Sequence, residues 1–69
     1  MKPQLECDAF GLIDEAYAVS LSVTLDVSHA MKLIEDLHSC ANKACDAGMT
    51  ALSQKMRDAA DALQHRLES

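Results

Sequence analysis

The residues best equipped for chemistry lie in one short run, where His38, Cys40 and Cys45 fall within eight positions. Imidazole and thiolate are the usual ligands of zinc, but one tetrahedral ion needs its ligands to converge. On a helix His38 and Cys45 stand about 10 Å apart at roughly 1.5 Å per residue, and Cys40 projects to another side. The chain offers no His/Cys pair at the i, i+4 spacing that helical zinc sites use. A metal site is therefore not expected. Cys40 and Cys45 read as small buried hydrophobes and His38 as a partly solvated flank. A cysteine nucleophile with a histidine base would also need a cleft, an oriented base and an oxyanion site. So small a helical body offers little concavity for these, and the reading is of a protein without enzyme activity, cofactor or small-molecule substrate. The carboxylates Glu35, Asp36, Asp46, Asp58 and Asp61 are ordinarily a solvated face. Their functional alternative, with Ser39 among them, is an exposed surface that docks a basic protein.

The elements that must position these residues are bounded by size and charge. Sixty-nine residues make one domain at most, and a domain of that size buries only about 60% of its unfolded surface. Disulfides, a metal or oligomerisation usually add what is missing. Three cysteines, Cys7, Cys40 and Cys45, are odd in number and follow no framework spacing, so reduced thiols and a cytoplasmic protein are expected. No basic run followed by an apolar one opens the chain, and no stretch approaches the roughly 20 apolar residues of a membrane span. Eleven Asp and Glu against six Lys and Arg give a net charge of −5. That balance opposes direct binding to nucleic acid or an anionic membrane and favours basic partner surfaces. One Phe, one Tyr and no Trp leave nothing for base stacking.

Residues 1–6 read as a poorly ordered tail, and residues 1–16 together as an N-terminal arm. Within the arm, Phe10, Ile13 and Tyr17 recur at helical spacing, while Gly11 weakens a helix and a short strand is an alternative. From Tyr17 to Val27 the odd positions Tyr17, Val19, Leu21, Val23, Leu25 and Val27 are apolar. The even ones, Ala18, Ser20, Ser22, Thr24 and Asp26, are small or polar. A period of two predicts a β-strand with one buried face. With no second strand in the chain, its partner would be the same stretch of another copy.

At Asp26 and Ser28 a cap is available, and from His29 the apolar period becomes 3.6. Ala30, Leu33, Leu37, Cys40, Ala44 and Ala47 form one stripe, widened by Ile34, Ala41 and Cys45. Gly48 lies where a left-handed cap belongs, and Thr50 is placed to cap a second helix. That helix buries Leu52, Met56, Ala59, Ala60, Leu63 and Leu67 and turns Ser53, Arg57, Asp58, Asp61, Gln64, His65 and Glu68 to solvent. The fold class is thus mostly α: one N-terminal strand followed by a two-helix hairpin over residues 17–69, closing as an intertwined homodimer with a two-stranded ribbon. A plain four-helix-bundle dimer is the alternative. The dimer interface would comprise Tyr17, Val19, Leu21, Val23, Leu25, Leu33, Leu37 and Leu63.

This order, with Gly48-Met49-Thr50 at the turn, resembles the ribbon-helix-helix proteins, whose paired strands read the DNA major groove with Arg, Lys, Asn or Gln. Here the outward strand positions are Ala18, Ser20, Ser22 and Thr24, with no cation, which argues against that use. A ribbon-type DNA-binding regulator and an antitoxin-like partner protein remain the alternatives. The run Val27-Ser28-His29-Ala30-Met31, leading to Leu33, Leu37, Cys40-Ala41 and Ala44, resembles short helical-hairpin proteins of pseudomonads and their phages. In length, acidity and layout the chain is similar to the phage-encoded quorum-sensing anti-activators of that group. The resemblance implies a homodimeric inhibitor in the host bacterial cytoplasm. Such an inhibitor binds a LasR-type transcription activator at its DNA-binding region, with the type IV pilus assembly ATPase as a second target. It carries no binding residue over, so the contact set Glu35, Asp36, Ser39, Asp46, Asp58 and Asp61 rests on exposure and charge.

Overall fold

Residues 7–68 are described by a computed structural model. Three helices follow in order: α1 over Ala9–Ser20, α2 over Val27–Asp46 and α3 over Thr50–Glu68. Each of the first two begins on an aspartate. The Asp8 carboxylate accepts from the Gly11 amide at 3.0 Å and that of Asp26 from the His29 amide at 3.2 Å, so each meets an orphan N–H of its first turn. The expected tail at residues 1–6 lies outside the described residues.

The turn between α2 and α3 is where the sequence placed it. Gly48 has φ of 82°, the left-handed conformation that a Cβ disfavours. Its amide donates to the Cys45 carbonyl at 3.0 Å and that of Met49 to the Ala44 carbonyl at 2.8 Å. The two bonds make a Schellman cap. Thr50 does not cap α3 but is its first residue, and the Met49 carbonyl accepts the first helical bond, from Ser53, at 2.9 Å.

The expected strand is absent: among the described residues all regular structure is helical. Tyr17 to Ser20 form the last turn of α1, Leu21 caps it by donating to the Tyr17 carbonyl at 3.1 Å, and residues 22–26 are loop. The boundary drawn between residues 16 and 17 therefore falls inside a helix. The physical reason is local. Phe10, Tyr17 and Leu21 also share a helical stripe, and a helix satisfies its own backbone groups without a second strand. The ribbon-helix-helix resemblance loses the element that carried it.

The core is made of Leu33, Leu37, Cys40, Met56 and Leu63 together with buried alanines from all three helices. Ser53, expected outside, is buried at 5% exposure. Its hydroxyl donates to the Ala41 carbonyl of α2 at 2.9 Å, which satisfies a polar group that would otherwise be costly to bury. Cys45, expected inside, is exposed. At the far end of the bundle Arg66 of α3 donates to the Ser22 carbonyl at 3.2 Å and ties the α1–α2 loop down. The whole is a rod of 43 × 15 × 15 Å.

Candidate functional site

The three residues that could have shared a chemistry are pulled apart. Cys40 is 2% exposed and joined to Cys7 in a disulfide with a Cα–Cα distance of 6.1 Å, while Cys45 is a free thiol on the surface. His38 is exposed on α2. Among the described residues no three His, Cys, Asp or Glu side chains gather as metal ligands. The disulfide corrects the expectation of reduced thiols. An odd count hid it, because two of the three cysteines pair across 33 residues and the third is left over. Sequence spacing cannot show that Cys7, just ahead of α1, comes to lie over the middle of α2.

An open cavity of about 330 Å³ surrounds this bond, lined by Cys7, Asp8, Leu12, Asp36, Ser39, Cys40 and Lys43. Two carboxylates and one ammonium therefore share its rim. Asp36 and Ser39, both chosen as partner-binding residues, face this cavity from α2. Glu35 and Asp46 are exposed on the side of α2 away from its buried stripe. Asp58 and Asp61 are exposed on α3, where Gln54 donates to the Asp58 carboxylate at 3.0 Å. Between the two long helices Arg57 donates to the Asn42 side chain at 3.1 Å. The acidic set is thus spread over two helices rather than gathered at one point.

The residues chosen for a dimer interface divide in two. Leu33, Leu37 and Leu63 are at most 3% exposed and belong to the core of a single chain. Val19 and Leu25 are half-buried against that core. Tyr17, Leu21 and Val23 stand open to solvent, Leu21 and Val23 at 83% and 97% exposure. Phe10, at 67%, joins them, since it precedes Tyr17 by two helical turns on the outer side of α1. Val27 and Met31, one turn apart at the start of α2, add a second exposed apolar pair. Apolar periodicity alone does not mark Phe10 or Met31 as surface residues. The outward turn of Phe10 follows from Ala9 and Ala16 taking the inward side, and only that pairing of small residues could have signalled it.

No helix among the described residues is long and apolar enough to cross a membrane. A scan against protein-family models finds no match, and searches of curated proteins and of solved structures find none either.

Proposed function

We propose that the chain is a non-enzymatic protein-binding module that works as a homodimer. The observation that carries this reading is the apolar stripe Phe10, Tyr17 and Leu21 along α1 and its cap, with Val23 in the loop beyond it, all open to solvent on a protein of 69 residues. Large apolar groups exposed side by side mark a surface that is covered by something else. A second copy is the occupant we assign, because a two-fold axis lets one stripe bury its own twin. No residue of α1 is Lys or Arg.

The target of the dimer is the basic surface of another protein. With a net charge of −5 and two copies of Glu35, Asp46, Asp58 and Asp61 on its outer helices, the dimer would compete with the phosphate backbone for such a surface. The resemblance to quorum-sensing anti-activators supplies the class of target: a LasR-type transcription activator held at its DNA-binding region in the bacterial cytoplasm, with the pilus assembly ATPase as a second target.

The test has two arms. Co-purification with a LasR-type activator and a promoter gel shift should show the activator leaving DNA as this protein is added, and the chain alone should shift no DNA. An activator that still binds its promoter under a large excess of the chain ends the target assignment. In the second arm, light scattering should give a dimer for the natural chain and a folded monomer for Leu21→Asp. A natural chain that stays monomeric at micromolar concentration ends the assignment of the stripe.

A further inference from the structure

We infer that the Cys7–Cys40 bond is a thiol-exchange latch: a small dithiol opens it at the Cys7 sulfur and in doing so frees α1 from the α2–α3 hairpin. The inference does not rest on the identity of the protein's target.

Access decides which sulfur is attacked. Cys40 is 2% exposed, whereas Cys7 is only half-buried and stands at the cavity beside Asp8 and Lys43. The chemistry balances with a dithiol as the reductant. One of its thiolates attacks the Cys7 sulfur, the S–S bond breaks, and the electron pair leaves on the Cys40 sulfur, which takes up a proton. The second thiol of the reagent then attacks its own sulfur in the mixed disulfide and releases Cys7. The protein gains two electrons and two protons, and the reagent closes to a cyclic disulfide.

What the bond restrains is α1. That helix buries Ala9 and Ala16, sets Leu12, Ile13 and Val19 half-buried against the core, and has one side-chain hydrogen bond to α2 among those described, Glu15 with His29 at 2.9 Å, both about half exposed. Half-buried side chains and a solvated pair hold a helix less firmly than fully buried ones do. Leu37, Met56 and Leu63, by contrast, are completely buried within α2 and α3. The C-terminal end of α1 is secured by the loop that Arg66 holds, so the N-terminal end depends on Cys7. Local opening follows the weakest set of contacts, and the cut bond lies there.

Hydrogen exchange on the full chain tests this, in a Cys45→Ser background that prevents disulfide reshuffling. Dithiothreitol should speed exchange in residues 9–20 by about tenfold or more while residues 27–46 and 50–68 change about threefold or less. Cys7→Ser should show the same pattern without reductant. Equal acceleration in all three helices would make the bond a staple of the entire fold and overturn the latch. Unchanged protection of α1 after reduction would overturn it too, as would failure of Cys7 and Cys40 to pair in glutathione redox buffer.

Discussion

The first helix and the pair that follows it are built on different principles. α2 and α3 bury long side chains against each other, Leu33 and Leu37 on one side and Met56 and Leu63 on the other. A Schellman turn fixes the register between them, and the Ser53 hydroxyl reaches the Ala41 carbonyl across them. α1 contributes two buried alanines and the half-buried Leu12, Ile13 and Val19, and sends Phe10 and Tyr17 outward. It is fastened as well, through Cys7 to Cys40 of α2. A helix can thus be held either by what it buries or by what it is tied to. Only the first kind is written in apolar periodicity.

The comparison breaks most visibly in the core of the hairpin. Replacing Leu37 by alanine leaves a void with no exposed edge and should cost about 4 kcal/mol, enough to unfold a domain this small, as read by urea denaturation. Loss of the disulfide by Cys7→Ser comes next, and its cost, about 1.4 kcal/mol or more for a tenfold faster opening, should fall on α1 rather than on the whole domain. Hydrogen exchange should show that loss as faster opening of residues 9–20 with α2 and α3 nearly unchanged. Gly48→Ala has open space around it but a φ of 82°, so it should cost about 1 kcal/mol through the backbone alone. Ser53→Ala removes the donor to Ala41 and should cost about as much. The smallest effect belongs to α1. A Cβ on Gly11 would press on the Asp8 carboxyl carbon at 2.8 Å, so the gain in helix propensity and the disturbed cap, each about 1 kcal/mol, should nearly cancel in Gly11→Ala. A large loss at Gly11 with a small one at Leu37 would reverse the division drawn between the two regions.

The same division explains what could be read from the residues in order. α2 and α3, the cap at Asp26 and the left-handed Gly48 were legible because a period of 3.6 and its punctuation are local properties. α1 was not, because Tyr17 to Val27 satisfies two periods at once. Gly11 also counted against a helix that Asp8 in fact starts. Ser53 was misplaced since its polarity spoke for solvent, while its partner is a carbonyl twelve residues away. Of the candidate site, Tyr17, Leu21 and Val23 read in order as the buried face of a strand, so neither their helical setting nor their exposure on the single chain is legible there. The Cys7–Cys40 pairing depends on where α1 comes to rest, and no spacing rule carries that information.

Seven of the twelve buried hydrophobic residues among those described are alanine. With Ala30, Ala41, Ala44, Ala59 and Ala60 all at most 1% exposed, methyl groups fill much of the space between the helices of this rod. Such a seam has no spare room. Enlarging any of these methyls moves a whole helix instead of a neighbouring rotamer, so variation that the molecule tolerates must collect on its outer surfaces, where it meets other molecules.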